Sequence, residues 1–87
     1  MTLSYVVILS DVRTISGQVE ATEQTDAMRK AIKEIERLAN DGFYTRRGES
    51  PAIAAFIGGD DVDAQKVIFS VDEETDVMTV DDVQFVL

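Results

Sequence analysis

Between residues 28 and 39 the apolar side chains Met28, Ala31, Ile32, Ile35, Leu38 and Ala39 recur every three or four positions, the period of one face of an α-helix. This stripe constrains the fold more than any other feature. No other apolar run in the chain has that period, so a single amphipathic helix must bury its stripe against something built from strands. Arg29, Lys30, Lys33, Glu34, Glu36 and Arg37 cover its other faces. Thr22 or Thr25 is the expected N-cap, Glu23 and Asp26 complement the helix dipole, and Gly42 after Asn40-Asp41 is the expected left-handed stop.

The flanking segments read as strands. Leu3 to Leu9 is dense in β-branched and aromatic residues with apolar groups at both parities, as expected of a central strand or one buried on both faces. From Arg13 to Ala21, Ile15, Val19 and Ala21 share one parity while Thr14, Ser16, Gln18 and Glu20 share the other. That pattern is a half-exposed strand, with Gly17 as a candidate bulge and Asp11 in a tight turn closing an antiparallel hairpin. After a polar connection over residues 43–51, broken by Gly48 and Pro51, strand-like runs return at Ala52 to Ile57, Lys66 to Val71 and Val77 to Val80. The last run either continues toward Val83 to Leu87 or breaks at Asp81-Asp82. Gly58-Gly59-Asp60-Asp61 and Asp72-Glu73-Glu74-Thr75-Asp76 are the expected turns. The resulting expectation is an α+β fold in ββαβββ order. It has two layers, a mainly antiparallel sheet of four to six strands with one helix on a face. A length of 87 residues allows one hydrophobic core, so residues 1–87 are expected to form a single domain.

Composition excludes several chemistries. There is no cysteine and no histidine, which removes disulfides, thiolate metal sites, cysteine nucleophiles and any triad built on an imidazole base. Met1 to Tyr5 lacks the features of a secretory signal, and no segment reaches the roughly 18 consecutive apolar residues of a membrane span. A cytoplasmic protein is expected, in a host cytoplasm if phage-encoded.

The net charge is −9, from 17 acidic and 8 basic residues, which argues against direct contact with nucleic acid or an anionic membrane. Its distribution is uneven. Through residue 57, Asp11, Glu20, Glu23, Asp26, Glu34, Glu36, Asp41 and Glu49 nearly balance the bases Arg13, Arg29, Lys30, Lys33, Arg37, Arg46 and Arg47. Beyond it, Asp60, Asp61, Asp63, Asp72, Glu73, Glu74, Asp76, Asp81 and Asp82 face Lys66 alone. These nine acids are the candidate partner-binding residues, and they lie in segments expected to join strands, where charge also keeps hairpins soluble.

They do not fit a specific metal loop. An EF-hand starting at Asp61 would place Lys66 where glycine is required and Asp72 at the final ligand position, and one starting at Asp72 would place Val77 and Val83 there. A weak divalent-ion site is the residual metal reading, and no cofactor is expected. A paired-carboxylate mechanism needs two acids in a partly dry cleft, whereas these acids lie in runs that favour water, so no catalytic residue is assigned. Arg46-Arg47 beside Phe43 and Tyr44 is the only local basic and aromatic group. It is expected to be a helix-end packing contact with solvated arginines more than a phosphate grip. The alternating turns of an antiparallel sheet should separate Asp60 to Asp63 from Asp72 to Asp76 by about 20 Å, with Asp81 and Asp82 nearer the first group.

The leading expectation is a non-enzymatic protein-binding module. Its acidic surface would engage a basic partner, such as a nucleic-acid-binding protein, by imitating phosphate charge. In size, acidity and lack of catalytic residues the chain resembles the short inhibitors that phages encode against host defences, including anti-CRISPR and anti-restriction proteins. The resemblance is one of type, carried by no motif, and transfers no residue roles. The alternative is a small accessory or structural subunit, homodimeric through Val83-Gln84-Phe85-Val86-Leu87 if that apolar chain end forms a sheet edge.

Overall fold

A computed structural model describes residues 1–9, 13–40, 52–59, 62–75 and 77–86. Its elements are β1 (Thr2–Leu9), β2 (Thr14–Glu20), α1 (Gln24–Asn40), β3 (Ala52–Gly59), β4 (Val62–Val71) and β5 (Met78–Phe85). The strands form one five-stranded sheet in the order β2-β1-β3-β4-β5, with every neighbouring pair antiparallel. The expected α+β order and the helix packed on a sheet face are both observed.

The doubly apolar first strand lies inside the sheet because only there do both of its faces gain cover. Leu3, Val7 and Leu9 are fully buried beneath α1 beside Tyr5, whereas Val6 and Ile8 are half-buried on the opposite face. From the helix, Ala27, Ala31, Ile35, Leu38 and Ala39 complete the core with Ala55, Ile57, Val67 and Met78. Three of the five buried helix residues are alanines, and their short side chains let the backbone lie close to the sheet. The opposite face has no helix among the described residues. Ala54, Phe56 and Ile68 are half-buried there.

Local expectations changed where packing decided the conformation. Gly17 forms no bulge, because it stays in register opposite Tyr5. The Tyr5 ring fills the space where a side chain would sit, and a Cβ on Gly17 would lie 2.7 Å from Tyr5 Cζ. Neither expected threonine caps α1. The amide of Ala27 donates to the Glu23 carbonyl at 3.0 Å, which puts Glu23 at the cap position, Thr22 before it and Thr25 inside the first turn. Gly58 and Gly59, expected in a turn, extend β3, and Gly59 packs so closely on β1 that a Cβ would meet the Thr2 carbonyl oxygen at 3.0 Å. β4 accordingly begins at Val62, four residues earlier than expected. The expected stop at Gly42, the turn at Asp11 and the group Phe43, Tyr44, Arg46 and Arg47 lie outside the described residues.

The question left open at Asp81-Asp82 resolves as one continuous strand with a bulge. Phe69 pairs with Val80 and Ile68 with Asp82, so Asp81 is the extra residue.

Candidate protein-interaction surface

The candidate acids gather along β4 and β5, and the sheet order makes β5 an edge. An edge strand normally exposes a row of backbone donors and acceptors. Here the last turns of α1 reach over and occupy them. Asn40 accepts from the Met78 amide through Oδ1 at 2.6 Å, and its Nδ2 donates to the Met78 carbonyl at 2.6 Å and to the Glu36 carbonyl at 2.8 Å. Glu36 Oε2 accepts from the Val80 amide at 2.8 Å. Two helix side chains therefore stand where a sixth strand would pair. Beyond the bulge, Asp82 Oδ1 accepts from the Val83 amide at 2.8 Å, and the apolar Phe85 and Val86 that follow are 65% and 50% exposed.

The acids themselves divide by role. Asp72 Oδ1 accepts from the amides of Glu74 at 2.9 Å and Thr75 at 3.3 Å, the hydrogen bonding of an Asx turn, so this carboxylate shapes the β4–β5 connection. Asp82 makes the local bond to Val83 and accepts from Gln84 Nε2 at 3.2 Å. Glu73, Glu74 and Asp81 are exposed, and among the described residues none of them pairs with a basic side chain. Asp63 is exposed near the start of β4. Asp60, Asp61 and Asp76 lie outside the described residues.

Register fixes the spacing. Asp63, near the start of β4, and Asp72, just past its end, are nine residues apart, about 30 Å at strand rise. Asp82 pairs with Ile68, midway between them, so Asp81 and Asp82 are not nearer the first group as expected. The bulge and the long β4 place them there. The described acids thus fall in groups roughly 15 Å apart along β4 and β5, with Asp63 on the parity of buried Gln65 and Val67 and Asp82 paired with Ile68 on the other face, and do not converge on a pocket. Among the described residues no group of three or more potential ligands could hold a metal ion. No described helix is long and apolar enough to cross a membrane.

Of the basic residues, Lys66 is exposed on β4 opposite Gln84, and Lys33 and Arg37 border a surface depression with Glu36 and Asn40 beside β5. Arg29, Lys30 and Lys33 line a shallow depression with Ala21, Thr22 and Asp26, beside the end of β2, the opposite edge of the sheet. Lys30 Nζ donates to the Glu20 carbonyl at 2.8 Å. On the helix, Arg29 pairs with Asp26 at 2.9 Å and Arg37 with Glu34 at 2.8 Å. The Arg37 guanidinium, by hydrogen bonding to Glu34, holds that carboxyl below the ordinary glutamate value.

Family models, curated proteins and solved structures contain no match to this chain. The chemistry of its own surface is therefore the basis for a functional reading. The roles of Glu36 and Asn40 were missed in the sequence, where Glu36 reads as solvated helix surface and Asn40 as part of a helix stop. Helical periodicity identifies the buried stripe only, and both residues lie off it.

Proposed function

We propose that this chain is a non-enzymatic acidic protein-binding module that uses its β4–β5 flank to occupy a basic surface of a nucleic-acid-binding protein, in the manner of a phage-type inhibitor. The observation that carries the reading is the line of exposed acids Asp72, Glu73, Glu74, Asp81 and Asp82 on one flank, without basic partners among the described residues. Of the helix bases, Arg29 and Lys30 are placed toward the other edge, and Arg37 is paired with Glu34. With Lys66 the one base on these strands, an approaching basic surface meets a net negative field there, which favours oriented encounter at moderate ionic strength.

Magnitude limits the form of the mimicry. About 15 Å of duplex DNA carries roughly 9 phosphate charges, whereas five described acids cover a stretch of about that length. The surface competes for selected lysine and arginine contacts and is no replica of a duplex.

The test uses a variant with Glu73→Gln, Glu74→Gln and Asp81→Asn, which leaves the structural carboxylates Asp72 and Asp82 in place. The expected result is that wild type captures a basic nucleic-acid-binding protein from host lysate, that duplex DNA and raised salt displace it, and that the variant fails to capture it. Equal capture by wild type and variant, or capture indifferent to both DNA and salt, would sink the reading. The alternative is a small accessory subunit, homodimeric through the C-terminal strand, a reading that the exposed Phe85 and Val86 at the end of edge strand β5 favour.

A further inference from the structure

The two edges of the sheet are treated differently. Where β5 is closed by Glu36 and Asn40, no described strand pairs with the outer edge of β2. Met1 and Ala21 exchange both backbone hydrogen bonds, at 2.7 and 3.0 Å, and the Leu9 amide donates to the Arg13 carbonyl at 2.9 Å. Antiparallel alternation then turns the odd residues of β2 toward β1 and the even ones outward. Thr14, Ser16 and Gln18 thus aim their N–H and C=O groups out of the edge, and among the described residues only the Glu20 carbonyl is taken, by Lys30. The strand runs in unbroken register with β1. From Thr14 to Val19 it contains no lysine, proline or charged residue, so within that stretch the strand itself carries none of the usual devices against pairing, and Lys30 covers only the Glu20 end.

The geometry points to β2 as a dimerisation edge that pairs antiparallel with β2 of a second copy, about a two-fold axis through Gly17. That occupant follows from the strand's own sequence. With Gly17 opposite Gly17, the half-buried Ile15 and Val19 on the helix side meet Val19 and Ile15 of the second copy, forming β-branched cross-strand pairs. On the other side Ser16 meets Gln18 and Thr14 meets Glu20, all able to hydrogen bond. Ser16 and Gln18 are the positions whose backbone groups face outward, so each exchanges main-chain hydrogen bonds across the seam. Glycine at the axis suits the close approach of a non-hydrogen-bonded pair, and the Tyr5 ring already fills its side-chain space. An arbitrary peptide would find along this strand only the open depression that Ser16 shares with Ser4, Val6 and Phe56, whereas a second copy supplies matching residues by symmetry. Because β2 and β5 are opposite edges, both acidic flanks stay free at the two ends of the continuous sheet. The inference does not depend on what those flanks bind.

Sedimentation equilibrium from micromolar to submillimolar concentration tests it, with folding checked by circular dichroism. Wild type is expected to form a reversible dimer. Ser16→Pro removes only an outward N–H and is expected to weaken the dimer about tenfold or more. Ser16→Lys with Gln18→Lys sets lysines directly opposite each other and is expected to give a folded monomer. Ser16→Lys with Gln18→Glu sets opposite charges across the seam and is expected to restore the dimer. A monomeric wild type throughout the range overturns the proposal. So does a dimer that persists in the double-lysine variant, or one that the charge-swapped variant fails to recover. If Ser16→Pro does not fold, the two double variants decide.

Discussion

Replacing Asn40 by alanine should cost far more than its position near a helix end suggests. Its side chain forms two hydrogen bonds of 2.6 Å with the Met78 backbone and a third with the Glu36 carbonyl. At roughly 1 kcal/mol net for each bond to Met78, truncation removes about 2 kcal/mol. Alanine is the better helix former, which returns about 0.5 kcal/mol. The net expectation is a loss of about 1.5 kcal/mol, or roughly a 10 °C fall in Tm for a domain of this size. Urea denaturation of Asn40→Ala beside wild type measures it. Asn40→Asp separates the clamp from helix propensity, because it keeps the acceptor for the Met78 amide but sets a carboxylate against the Met78 carbonyl. It should also destabilise at neutral pH and recover partly in acid, where a protonated carboxyl can donate. A loss below about 0.5 kcal/mol for Asn40→Ala would refute the clamp, since bonds that short and partly buried cannot then matter to the fold.

Gly17→Val forces the buried Tyr5 ring to move and is expected to cost about 1–3 kcal/mol by urea denaturation; a neutral effect would mean that the ring relocates freely. Ile35 is fully buried at the centre of the helix–sheet contact, so Ile35→Ala should lose about 2–5 kcal/mol in the same assay. In an NMR titration Glu34 should titrate below an ordinary glutamate, and Arg37→Ala should return it toward that value. Because its folded pKa is depressed, the stability this pair contributes is present above the unfolded glutamate pKa and lost as pH falls through the folded one. With side chains 54% and 36% exposed, the contribution should be about 0.5 kcal/mol or less.

The helix and the strand order were legible because burial writes itself into periodicity. The stripe from Met28 to Ala39 and the alternation of Ile15 and Val19 are one-dimensional records of which side faces the core. Tertiary contacts leave no such record. Gly17 reads as a backbone irregularity until Tyr5 is seen across from it, and Gly58-Gly59 reads as a turn until β3 is seen packed against β1. Placement of the acids was legible only in part. Their concentration after residue 57 is plain in the sequence, but one bulge residue, Asp81, and the true start of β4 set their spacing. Asn40 and Glu36 were illegible for a different reason. Polar residues off the apolar stripe usually face water, and nothing local signals that β5 passes beneath them.

The central structural claim is that one edge of the sheet is closed by helix side chains while the other is open, and amide hydrogen exchange followed by NMR on dilute protein tests it most directly. The account expects the Met78 and Val80 amides to be protected despite their place on an edge strand, and the Ser16 and Gln18 amides to exchange rapidly in the dilute monomer. Fast exchange at Met78 and Val80, or protection of Ser16 and Gln18 that does not change on dilution, would contradict it.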